Sequence, residues 1–81
     1  MTIRTHDIKK DTLVCLDNGD QAIICDNRRT NSRLVMLAAT GSLGEVAAYN
    51  INRAFINGSW VEVELTPQQQ KAKNAAWSIL R

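Results

Sequence analysis

The chain has 81 residues, 10 basic and 8 acidic side chains and a net charge of +2. That length holds a single domain and rules out a second, while so small a charge does not by itself indicate a polyanion partner. Hydrophobic residues at 44% with one proline and four glycines exclude a disordered or low-complexity chain.

Residues 1–10 are read as a loosely held polar N-terminal segment. They contain no apolar stretch of the kind that directs export, and no later stretch approaches the length of a membrane span, so a soluble, cytoplasmic chain is expected. His6 is the only imidazole and reads as an ordinary surface residue, since geometry makes a general base. One histidine without a CxxC pair provides no zinc site, and a Ser or Cys nucleophile would have no base in reach. No catalytic residue, metal or cofactor is expected.

Residues 11–65 are read as the β portion. Thr12–Leu16 and Gln21–Cys25 are short apolar runs on either side of Asp17-Asn18-Gly19-Asp20. Asn-Gly tolerates positive φ at both central positions of a type I′ turn, so the pair is placed at a hairpin tip. Counting outward sets Leu16 opposite Gln21, Cys15 opposite Ala22, Val14 opposite Ile23 and Leu13 opposite Ile24. Cys15 and Cys25 then point to opposite faces, and free thiols are expected.

Asn27–Ser32 reads as a polar loop, Arg33–Ala39 as a strand, Thr40–Gly44 as a turn and Glu45–Tyr49 as a further strand. A second hairpin turns at Asn57-Gly58. Its register sets Phe55 opposite Trp60, Arg53 opposite Glu62 and Ala54 opposite Val61, which turns Ala54, Ile56, Val61 and Val63 toward the core.

Residues 66–81 are read as a helix. Thr66-Pro67-Gln68-Gln69 is a capping box with proline at the first helical position. Ala72, Ala75, Ala76, Ile79 and Leu80 are placed on the docking stripe, with Gln68, Lys71, Lys73 and Asn74 outside. Together the elements predict a mainly β fold, a five-stranded barrel or rolled antiparallel sheet with one C-terminal helix.

The apolar strand ending in Leu16-Asp17-Asn18-Gly19, the strand carrying Ala22-Ile23-Ile24, and a third strand after a basic loop resemble the opening of an SH3-like or KOW-like barrel. With the Gly44–Tyr49 strand and the Glu64–Gln69 helix start, residues 8–75 resemble small phage- or prophage-encoded proteins. The resemblance rests on turn and cap signals, so it implies a fold and names no active site.

Two constellations remain. Arg28, Arg29 and Arg33 border a loop rich in hydrogen-bonding side chains, which suits phosphate oxygens or an acidic partner. Phe55 and Trp60 point away from the core face of their hairpin, where the helix residues Ala72, Ala76 and Ile79 are expected to cover them unless a partner does. Trp77 flanks the helical stripe and either closes the core or stands as an anchor. Glu62 and Glu64 share a strand face without a substrate cleft, and Asp17 and Asp20 offer too few oxygens for calcium.

These features lead to the expectation of a non-catalytic binding module of phage or mobile-element type. It would dock on a host protein or nucleoprotein through Phe55, Trp60, Trp77 and the Arg28-Arg29-Arg33 edge and block or modulate it, without membrane contact. The alternative is a nucleic-acid binder using Arg28, Arg29 and Arg33, and homodimerisation through an edge strand or the aromatic face is open.

Overall fold

A computed structural model describes residues 1–26 and 32–79, the last three by backbone alone. Seven strands form one mixed sheet: β1 (Thr2–Arg4), β2 (Leu13–Leu16), β3 (Gln21–Asp26), β4 (Ser32–Leu37), β5 (Leu43–Ala47), β6 (Ile51–Ile56) and β7 (Ser59–Glu64), ordered β1-β7-β6-β2-β3-β4-β5. One helix follows, α1 (Pro67–Ile79). The chain is mainly β, as its turn-punctuated apolar runs predict, but the sheet is open, with β1 and β5 at its edges. It is therefore not a closed five-stranded barrel.

The core is the inner face of this sheet: Val14, Leu16, Ala22, Ile24, Val35, Ile51 and Ala54, joined by Ile8. Period-two alternation puts these residues on one side of successive strands. Ile8 contradicts the reading of residues 1–10 as loosely held. β1 pairs in parallel with β7, a 3-10 turn covers Thr5–Asp7, and Thr5 and Ile8 are both buried. Thr5 Oγ1 donates to the Ala48 carbonyl at 3.4 Å, tying the N-terminal segment to the 3-10 turn Ala48–Asn50 that follows β5.

The two Asn-Gly pairs fold differently. At the second, Asn57 (φ 52°) and Gly58 (φ 81°) are both left-handed, and the register Phe55↔Trp60, Ala54↔Val61, Arg53↔Glu62 follows as the type I′ turn requires. At the first, only Gly19 has positive φ, at 89°. The Gly19 amide donates to the Leu16 carbonyl and the Leu16 amide to the Asp20 carbonyl, which makes a three-residue loop with a glycine bulge. The Asn18 side-chain Oδ1 accepts the Asp20 backbone amide at 2.9 Å and stabilises this wider loop.

The pairing therefore shifts by one residue, to Cys15↔Gln21, Val14↔Ala22 and Leu13↔Ile23. Cys15 and Cys25 are free thiols, but opposite faces are not the reason. Cys25 lies four residues along β3 from the partner of Cys15, about 13 Å at the usual rise per residue.

α1 begins as its capping box predicts. The Thr66 amide donates to Gln69 Oε1 at 2.9 Å and the Gln69 amide to Thr66 Oγ1 at 3.2 Å. Its docking face is rotated from the alanine stripe. Gln69 is buried and Lys73 and Ala76 are half-buried, whereas Ala72 and Ala75 are exposed. Two polar contacts accompany this rotation: Gln69 folds back onto its cap, and Lys73 Nζ reaches Asp17 Oδ2 at 3.0 Å. The helix packs against the 3-10 turn Ala48–Asn50. Among the described residues no helix is long and apolar enough to cross a membrane.

Candidate functional site: the outer face of the sheet

Phe55 on β6 and Trp60 on β7 are directly opposed and meet edge to face, with centroids 5.3 Å apart and planes at 67°. Each ring remains 41% exposed. Ala72, expected to lie across the pair, is exposed, and the helix packs against residues 48–50; the side chain of Ile79 lies outside the described residues. A hairpin held by a type I′ turn has no freedom to twist these rings inward, because Ala54 and Val61 occupy the inner positions of the same ribbon.

The ring pair is one end of a longer apolar row. Val14 pairs with Ala54, which sets Leu13 one step away, beside Phe55. Leu13 pairs with Ile23, Ile23 with Met36, and Met36 with Leu43. Trp60, Phe55, Leu13, Ile23, Met36 and Leu43 thus cross six strands on the outer face. Leu13, Ile23 and Met36 are half-buried, and Leu43 is 68% exposed. Sequence reading found only Phe55 and Trp60, because the rest depends on the shifted register of the first hairpin and on pairing between strands distant in the chain.

A polar row runs alongside, with Glu62 opposite Arg53 and Arg53 opposite Cys15, itself opposite Gln21. This confirms the cross-strand Arg53–Glu62 pairing. A polar cleft of about 390 Å³ between α1 and the sheet is lined by residues including Asp17, Arg53, Glu62 and Lys73. Its charges of opposite sign lie side by side, so it presents no single-sign field to a charged ligand.

The basic loop is only partly within the structure. Arg28 and Arg29 lie outside the described residues, as does the side chain of Trp77. Arg33, expected on an exposed edge, is 1% exposed. It sits on the inner face of β4 opposite Val46, with its guanidinium donating to the Ser32 carbonyl at 2.7 Å. Burial pushes the Arg33 pKa down and the charge of Asp26 pushes it back up, burial being the larger effect. With its side chain buried on the inner face, the residue is withdrawn from the phosphate-binding edge.

Among the described residues no three His, Cys, Asp or Glu side chains lie together as a metal site. Comparison with known protein families, curated proteins and solved structures finds no match.

Proposed function

We propose that this protein is a binding module of phage or mobile-element type, docking on a host protein through the outer face of its sheet. The observation that carries the reading is the half-exposed Phe55–Trp60 pair at the head of a row of apolar side chains. Aromatic side chains are favoured anchors in protein interfaces because they bury large areas with few rotatable bonds. Two of them fixed by a rigid hairpin lose little entropy when a partner covers them. The SH3-like resemblance agrees with a scaffold that presents a surface, and host origin of the partner rests on that resemblance alone.

The edge-to-face geometry favours a protein over a nucleic acid. Bases stack on open ring faces, whereas here one ring directs its edge at the face of the other. With Arg33 inside the core, phosphate contacts would fall to Arg28 and Arg29.

The test is capture from host extract by the wild-type chain and by a Phe55→Ser/Trp60→Ser variant. The reading expects a defined protein retained by the wild type and lost by the variant, while the variant keeps its circular dichroism. The same proteins captured by both, or none by either, would overturn it.

A further inference from the structure

The row of apolar side chains ends at β5, which among the described residues is an edge strand of the sheet. The hydrogen-bond phase of that edge can be read from the β4–β5 turn. The Leu37 amide donates to the Ser42 carbonyl at 2.9 Å, so Leu37 and Ser42 are a hydrogen-bonded pair. In an antiparallel ladder such pairs alternate. Gly44, opposite Val35, and Val46, opposite Arg33, therefore spend their amides and carbonyls on β4. Leu43, Glu45 and Ala47 turn their amides outward, and Leu43 and Glu45 their carbonyls, whereas the Ala47 carbonyl caps the 3-10 turn Ala48–Asn50; the edge offers three donors and two acceptors.

The side chains of the same three residues lie on the outer face. Leu43 is 68% exposed, Glu45 is exposed and Ala47 half-buried. We infer that the β5 edge accepts an extended segment of a partner protein, added antiparallel as an eighth strand. That segment has a basic residue opposite Glu45 and apolar residues two positions to either side, opposite Ala47 and Leu43.

Charge selects the occupant. A second copy adding its own β5 in centred antiparallel register would set Glu45 against Glu45, and like charges directly opposed are destabilising. A lysine or arginine at that position reverses the sign. Strand addition of this kind takes affinity from main-chain bonds and specificity from alternate side chains, and Leu43 supplies the apolar contact at one end. Gly44, on the inner side of the edge, has nothing within 4 Å of where a Cβ would stand, which leaves room for the side chain that crosses it.

The surface is independent of the aromatic pair, so the two readings can fail separately. The probe is the capped peptide Thr-Val-Thr-Lys-Thr-Leu-Thr, with a control bearing Glu in place of Lys. Amide hydrogen exchange is followed on the full chain.

Without peptide, Leu43, Glu45 and Ala47 should exchange fast while Gly44 and Val46 are protected. With the Lys peptide the first three should become protected. The Lys peptide should bind about fivefold more tightly than the Glu peptide, the scale of exchanging a favourable for an unfavourable cross-strand charge pair. Glu45→Lys should reverse that order. Glu45→Pro, which removes only an outward amide and is tolerated on an edge strand, should keep the fold and lose peptide protection. Three outcomes would overturn the inference: protection of all five amides in the free chain, protection that grows with protein concentration alone, or peptide binding indifferent to charge.

Discussion

Gly58 and Gly44 meet opposite demands within one sheet. Gly58 holds φ at 81° in the second hairpin, and open space surrounds the position of a Cβ on either glycine. A side chain at Gly58 therefore suffers backbone strain without a clash, and Gly58→Ala should cost about 1–2 kcal/mol. Gly44 lies in an extended strand, where alanine lowers the entropy of the unfolded chain, so Gly44→Ala should be neutral or stabilise by up to about 1 kcal/mol. Urea midpoints at constant m-value measure both.

Arg33 poses the other question at this scale. An arginine in a core position is legible in sequence only as a basic residue beside a loop; its burial follows from its phase with Val35 and Ile24, which the β3–β4 register sets. Replacing a buried charge by an apolar group of similar volume is often nearly neutral, and Asp26, being half-buried, retains water when its neighbour goes. Arg33→Met should shift stability by less than about 1 kcal/mol, whereas Arg33→Ala, which leaves a void, should cost about 2–3 kcal/mol.

The pH dependence has a definite sign. A base whose folded pKa is lowered destabilises the fold while it is charged, and that cost is relieved only as pH rises through the folded pKa toward the unfolded one. Arginine stays protonated across the ordinary range, so the stability difference between wild type and Arg33→Met should be flat between about pH 6 and 9. A slope there in paired melting curves would show that another group titrates with the substitution.

At the scale of elements, legibility depended on whether one local signal had a single structural meaning. Pro67 and the Thr66–Gln69 box both signal a helix start, and both bonds of the box form. Asn57-Gly58 fixed its hairpin's register. Asn18-Gly19 did not, because Asn18 is followed by Gly19-Asp20 and its side chain captures the Asp20 amide, a competing use of the same residue. β1 was illegible for another reason: Thr2-Ile3-Arg4 is too short to show a period, and its partner β7 lies some sixty residues away in the register Ile3↔Val63.

The helix face was misassigned because alanine is apolar without being large. Gln69 and Lys73 bury more by making specific contacts with Thr66 and Asp17. The cap is consequently a stability element of the helix. Thr66→Ala should cost about 1 kcal/mol, seen as a lower urea midpoint and loss of helical ellipticity. Lys73→Ala, removing a partly exposed ion pair, should cost less than about 1 kcal/mol and less still at high salt.

For the whole molecule, the open sheet raises the question of what holds its two ends around one core. β1 and β5 are not paired to each other; the N-terminal segment bridges them through buried Thr5, whose hydroxyl donates to the Ala48 carbonyl, and through Ile8, which fills the core between. A domain of this size has total stability on the order of 4–12 kcal/mol. Ile8→Ala should remove about 2–4 kcal/mol, enough to lower the melting temperature by roughly 10–30 °C in so small a domain. Thr5→Val keeps the shape but leaves the buried Ala48 carbonyl short of a donor, and should cost about 1–2 kcal/mol. If the N-terminal segment were an appendage, as its polar sequence suggests, both variants would melt with the wild type. The bridging role requires instead that Ile8→Ala and Thr5→Val lower one cooperative transition, with the Phe55–Trp60 hairpin and α1 unfolding in the same step.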